Sequence, residues 1–129
     1  MAEFNVKIAN ASWDLTAKER VKYKDTGDAV KLDAVVTKDT PITGFSPVGY
    51  VVLDIHNDRA TNPDYFNYVI IDQTGKKFVT GSDSFWNSFR NIWDELADLE
   101  EDGENYTITI YKKESKNYKG KYFLSCSLE

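Results

Sequence analysis

One cysteine, one histidine, one methionine and three prolines in 129 residues leave this chain little of the chemistry on which most enzymes rely. A lone Cys126 forms no disulfide within the chain, and its alternation with Leu124 and Leu128 marks it as a small apolar core residue. A reducing cytoplasm is the compartment that such cysteine usage predicts. His56 has no second histidine and no reactive cysteine in its sequence context, so it reads as a surface residue, and no enzyme activity is expected. Asp54, His56 and Asp58 recur at spacing two, but with a single imidazole and with Asp58 falling in a loop they offer at most a weak adventitious metal site. No metal or cofactor is therefore expected. Gly75-Lys76-Lys77 lacks the glycine spacing of a phosphate-binding loop. Apolar runs fall far short of the ~18 residues that a membrane span needs, so no membrane partner is expected. The first residues, Met1-Ala2-Glu3-Phe4-Asn5-Val6-Lys7, have neither the basic start nor the apolar centre of a signal peptide. Internal repeats and low-complexity segments are absent from the sequence as well.

Aromatic residues and segregated charge are what the chain has in excess. Aromatics make up 14% of it, more than a minimal core requires, so some are expected to face a partner. The formal net charge is -5, yet the two signs are kept apart. Asp94, Glu95, Asp98, Glu100, Glu101, Asp102 and Glu104 cluster with no base among them, whereas Tyr111 to Phe123 gathers five lysines, three tyrosines and a phenylalanine around the single acid Glu114. Alternating runs on either side, Tyr106 to Ile110 and Tyr122 to Leu128, make this basic stretch the tip of a β-hairpin, with Lys113 and Lys121 expected on its outer face, opposite Ile108, Ile110, Tyr122 and Leu124. Lysines that neutralise phosphates beside rings that stack on bases suit single-stranded nucleic acid. Lysines that keep an edge hairpin from aggregating would give the same composition.

The remaining elements follow from periodicity. Strands are predicted over 49–57, with Val51, Leu53 and Ile55 on one face, over 65–72, and over 77–80 after the turn Gln73-Thr74-Gly75-Lys76. A helix capped by Ser82 or Asp83 places Phe85, Phe89, Ile92, Trp93, Leu96 and Leu99 on one side and stops near Gly103. Strands over 105–113 and 121–128 complete the set. Together they predict a single core of Val51, Leu53, Ile55, Val69, Ile71, Phe85, Phe89, Trp93, Leu96, Ile108, Ile110, Leu124 and Cys126. Strand, strand, strand, helix, strand, strand is the chain order of the OB-fold, a five-stranded, partly open β-barrel with its helix between strands three and four. The fold class is thus mostly β, with 48–129 as the barrel and 1–47 as an extension packed on it or joining a neighbour. Within that extension 4–8 and 20–24 alternate like strands, Thr16 to Glu19 has capping-box spacing, 28–36 suggests a short helix with Leu32, Val35 and Val36 inward, and 40–47 reads as a connector.

The run Tyr68-Val69-Ile70-Ile71-Asp72-Gln73-Thr74-Gly75-Lys76-Lys77-Phe78-Val79-Thr80-Gly81-Ser82-Asp83-Ser84-Phe85-Trp86, with Ser115 to Lys121, resembles small OB-fold proteins encoded by phages and conjugative elements of Gram-positive bacteria. These are usually taken to be single-stranded-DNA-binding proteins. The resemblance covers about two-thirds of the chain; it leaves out 1–47 and the long acidic tail of bacterial replication proteins of this kind. It implies coating or protection of single strands during replication or transfer. In an OB-fold the loops after strands one and four flank the ligand groove, which here means 58–64 and 114–120. The binding residues expected on these grounds are Arg59, Tyr65, Tyr68, Lys76, Lys77, Tyr111, Lys113, Lys116, Tyr118, Lys119 and Lys121. The partner is single-stranded DNA, with RNA and self-association left open. The competing reading is a protein-interaction or inhibitor module of a mobile element that acts through its acidic helix end.

Overall fold

The densest apolar runs, Tyr50 to Leu53 and Tyr68 to Ile71, become the centre of a five-stranded sheet. In a computed structural model that describes residues 4–98 and 106–128, β1 (Phe4–Ala11) lies antiparallel to β4 (Pro47–Asn57). Next to β4 runs β5 (Asp64–Asp72), then β6 (Lys77–Thr80), both antiparallel, and the two-residue β2 (Val30–Lys31) joins β6 in parallel. A second, three-stranded sheet has the order β3 (Ile42–Phe45), β7 (Ile108–Glu114), β8 (Tyr122–Leu128). Only Ser46 separates β3 from β4, so one bent path of chain links the two sheets. The chain is mostly β, as its periodicity predicts, but among the described residues its strands form two sheets and close no barrel.

Both faces of the larger sheet are covered, which is why its central strands read as continuous apolar runs. Val51, Leu53, Ile55, Val69, Ile71 and Val79 point to one side, under Tyr23 and Ala29, with Val6, Ile8, Trp13 and Leu15 at the margin. Tyr50, Val52, Tyr68, Ile70 and Phe78 point to the other, where they meet Phe45, Phe85, Phe89, Ile108, Ile110, Leu124 and Cys126. The single core expected from the sequence is therefore two cores back to back, the first shared with the smaller sheet and the second lying under Tyr23 and Ala29. Alternation identified one face of β4 correctly and concealed that the opposite face was equally buried.

Helix α3 (Asp83–Asp98) begins where the sequence places it. Ser82 is the cap: its Oγ accepts the Phe85 N–H at 3.2 Å and its carbonyl accepts the Trp86 N–H at 3.1 Å. Phe85 and Phe89 are fully buried, while Ile92, Trp93 and Leu96 are half-buried, and Leu99 and Gly103 lie outside the described residues. The Ser84 hydroxyl donates to the Leu124 carbonyl at 2.8 Å, so α3 covers the outer edge of β8.

Residues 4–47 are woven into the sheets. β1 and β2 border the larger sheet and β3 borders the smaller one. Residues 20–24, expected as a strand, instead end α1 (Ala17–Lys24), because the Thr16–Glu19 pair does form a reciprocal capping box. This helix buries little besides Tyr23, so it carries no apolar stripe for periodicity to detect. Within 28–36 the helix shrinks to α2 (Leu32–Val35), which buries Leu32 and the following Val36 but leaves Val35 exposed. The expected connector holds β3.

Candidate nucleic-acid interface

The β7–β8 hairpin carries the charge and rings noted in the sequence. Its register sets Lys113 opposite Phe123 and Glu114 opposite Tyr122. Strand alternation then places Lys113, Tyr111 and Phe123 on the face away from Ile108, Ile110 and Leu124, as the sequence predicts for Lys113. The tip is closed by its own backbone: Ser115 N–H donates to the Lys121 carbonyl at 2.8 Å, and Lys121 N–H to the Tyr118 carbonyl at 3.1 Å. Gly120 adopts φ 80, a conformation that side chains disfavour, and this lets the chain return to β8.

Glu114, the one acid here, spends its carboxylate within the loop, accepting the Gly120 N–H at 3.1 Å. Lys113, Lys116, Lys119 and Lys121 are all exposed around it. Tyr118 stands out at 67% exposure, with Tyr122 and Phe123 also open to solvent and Tyr111 half-buried. Four ammonium groups and three accessible rings therefore share one tip. Tyr122 and Phe123 were not singled out from the sequence; their signal was an aromatic pair at a strand start, immediately after Lys121.

Two expected contact residues are withdrawn by burial. Tyr68 lies in the first core, its ring stacked on Trp86 and its hydroxyl donating to Asp83 at 2.7 Å. Burial, then Asp83, pushes its pKa up to about 12. Lys77 is buried in β6, where its Nζ donates to the Lys22 carbonyl at 3.0 Å and the Asp25 carbonyl at 2.7 Å and pairs with Asp28 at 2.6 Å. It closes the C-terminal end of α1, where a cation suits the helix dipole. Tyr65 is half-buried against the second core. Lys76 stays exposed, its Nζ 5.6 Å from the Phe78 ring centre.

Arg59 lies exposed in the 58–63 loop, its N–H donating to Asn57 Oδ1 at 3.0 Å. At the base of that loop the imidazole of His56 sits between two carboxylates, Nδ1 2.7 Å from Asp64 and Nε2 2.6 Å from Asp58. The carboxylates of Asp64 and Asp58, as acceptors for the ring N–H groups, raise its pKa above the ordinary histidine value. Both ring nitrogens are thus taken up by Asp58 and Asp64, and no cluster suited to a metal ion occurs among the described residues. The loop follows β4, whereas the hairpin tip extends past Ile42 at the start of β3, opposite Ile110. Among the described residues, no hydrogen bond or ion pair joins Arg59 to the hairpin.

Cys126 is buried, and burial pushes its thiol up to about 12, which keeps it inert at neutral pH. Of the acidic run, Asp94 faces Arg90 at 3.3 Å and Glu95 is exposed; the Asp98 side chain and Glu100, Glu101, Asp102 and Glu104 lie outside the described residues. No helix among the described residues is long and apolar enough to cross a membrane. Comparison of the chain with protein-family models, curated proteins and solved structures finds no match in any of the three.

Proposed function

We propose that this protein binds single-stranded DNA with little sequence preference, through the tip of the β7–β8 hairpin. The observation that carries the reading is the joint exposure of Lys113, Lys116, Lys119 and Lys121 with Tyr118, Tyr122 and Phe123, while Glu114, the one acid within the hairpin tip, is held by Gly120. Lysine neutralises phosphate without reading sequence, and an exposed ring stacks on any base. The strand path gives further support as an open OB-type arrangement. The bent β3–β4 path would be its first strand, with β5 and β6 on one side, β7 and β8 on the other, and α3 between β6 and β7.

One departure from that arrangement moves the expected path of the ligand. OB-folds bind on the outer face of strands two and three, but here Val69, Ile71 and Val79 on that face are buried under Tyr23 and Ala29. The hairpin therefore does the binding, with Arg59 and Lys76 as outlying charges and Tyr68 and Lys77 as framework. Coating of single strands in the replication or transfer of a mobile element is the biological role that such binding serves.

The covered face and the net charge of -5 favour a second reading, a protein-interaction module acting through the acidic end of α3. Anisotropy of a labelled oligothymidylate, titrated at several salt concentrations, separates the two. Salt-dependent binding that exceeds binding to a duplex of equal length supports the first. Absence of binding at low salt overturns it, leaving the lysines as guards of a hairpin edge. An oligouridylate competitor reports any preference for DNA over RNA.

A further inference from the structure

The longest strand edge without a neighbour among the described residues is the outer side of β1, and its hydrogen-bonding pattern fits a second copy of itself. Asn57 N–H donates to the Pro63 carbonyl on the β5 side of β4, at 2.7 Å, so His56, one residue earlier, turns its backbone groups toward β1. Tyr50 does the same at the other end: its carbonyl accepts the Ser12 N–H at 3.0 Å. The alternation between these fixed points gives the bonds to β4 to Asn5, opposite His56, and to Lys7, opposite Asp54. Phe4, Val6 and Ile8 therefore direct their N–H and C=O groups outward. The register shift between Ile8 and Asn10 ends this regular edge.

We propose that two copies of this chain join through β1, antiparallel, about a two-fold axis at Val6. In that register Val6 meets Val6 of the second copy, and Phe4 meets Ile8. The outward groups of all three residues are satisfied together, in roughly six N–H···O bonds. The side chains agree with the backbone. Phe4 is 64% exposed in one chain, although it shares the strand face that turns Val6 and Ile8 toward the second core. Pairing with Ile8 of the second copy covers it and continues that apolar layer across the axis. On the opposite face Lys7 meets Asn5, so no like charges oppose each other. An axis at Lys7 would set lysine against lysine, and an axis at Asn5 would leave the Ile8 groups without a partner in the described strand. The proposal is independent of the nucleic-acid reading, since the hairpin belongs to the other sheet.

Sedimentation equilibrium of the full chain should show a reversible monomer–dimer system over about 1–200 µM. Val6→Pro removes one outward N–H, which an edge strand tolerates, and Phe4→Glu places a charge opposite Ile8. Each should raise the dissociation constant about tenfold or more, equivalent to ~1.4 kcal/mol, while the circular dichroism spectrum is retained. Asn5 and Lys7 are exposed and face each other across the axis as the closer type of antiparallel pair, so Asn5→Cys with Lys7→Cys should give a disulfide-linked dimer under oxidised glutathione. Lys7→Cys alone should not, and the buried Cys126 leaves the background low. A chain that stays monomeric throughout, a dimer indifferent to both Val6→Pro and Phe4→Glu, or cross-linking by Lys7→Cys alone would overturn the proposal.

Discussion

The ring of Tyr68 lies flat on that of Trp86, centroids 4.6 Å apart and planes within 6°, while its hydroxyl donates to Asp83 at 2.7 Å. Strand β5 is thus joined to the first turn of α3 by a stack and a hydrogen bond at once. The chain uses on itself a ring that the sequence alone would offer to a base. Tyr68→Phe keeps the stack and leaves Asp83 exposed to water, so denaturant titration should show a loss of about 0.5–1.5 kcal/mol. The pH dependence has a definite sign. A folded-state pKa raised to about 12 means that this contribution is complete below the unfolded value of 10 and is lost as pH rises toward 12. Tyr68→Phe should therefore show a shallower loss of stability across that alkaline range.

Lys77 makes a different kind of junction. Its side chain is 5% exposed, and its ammonium satisfies two carbonyls at the end of α1 together with the outlying carboxylate of Asp28. Lys77→Met fits the space and abandons the Lys22 and Asp25 carbonyls, so stability should fall by about 1–3 kcal/mol. Oligonucleotide affinity measured well below the unfolding transition should not change. A weakened salt dependence in this variant would return Lys77 to the binding surface.

These two residues show where reading the sequence stops. Alternation in β5 and β6 tells which residues share a face, but not that both faces of the sheet are covered. Tyr68 and Lys77 looked available because nothing local announces that α3 lies over one and α1 ends over the other. Helix α3 was legible because Phe85 and Phe89 recur on one side behind a Ser82 cap. By contrast, α1 is almost wholly polar, and β2 and β3 take their order from long-range partners, Phe78 and Ile110 among them. The hairpin was the most legible part of the candidate site, because its register follows from alternation on both strands. Lys113 lies on the predicted face.

His56 makes one part of the chain's stability depend on pH. Asp64 and Asp58 raise its pKa above the ordinary histidine value of 6.5, so its contribution is complete below 6.5 and is lost as pH rises through the raised value. The carboxylates belong to the start of β5 and to the 58–63 loop, while Asp54 and the β1 residues Asn5 and Lys7 flank His56 on the same sheet face. A carbon-detected imidazole titration should give a pKa above 6.5, and Asp58→Asn with Asp64→Asn should lower it. A value at or below 6.5 in the unmodified chain would show that the two-sided arrangement does not persist in solution.

The hairpin prediction separates charge from stacking. Each lysine that neutralises one phosphate of a single strand contributes about 0.7 to the slope of log affinity against log salt, so Lys116→Ala with Lys119→Ala should flatten that slope by about one to two units. Both side chains are exposed in the loop, and their loss should leave the thermal midpoint unchanged. Tyr118→Ala should instead cost ~1–3 kcal/mol of binding with the slope nearly constant, because stacking releases no counterions. Phe123, opposite Lys113, provides the internal comparison. If the strand crosses the outer face of the hairpin, Phe123→Ala weakens binding as Tyr118→Ala does; if it contacts the tip alone, only Tyr118 matters. A slope that survives the loss of both lysines would remove the hairpin from the interface and transfer the binding, if it persists, to Arg59 and Lys76.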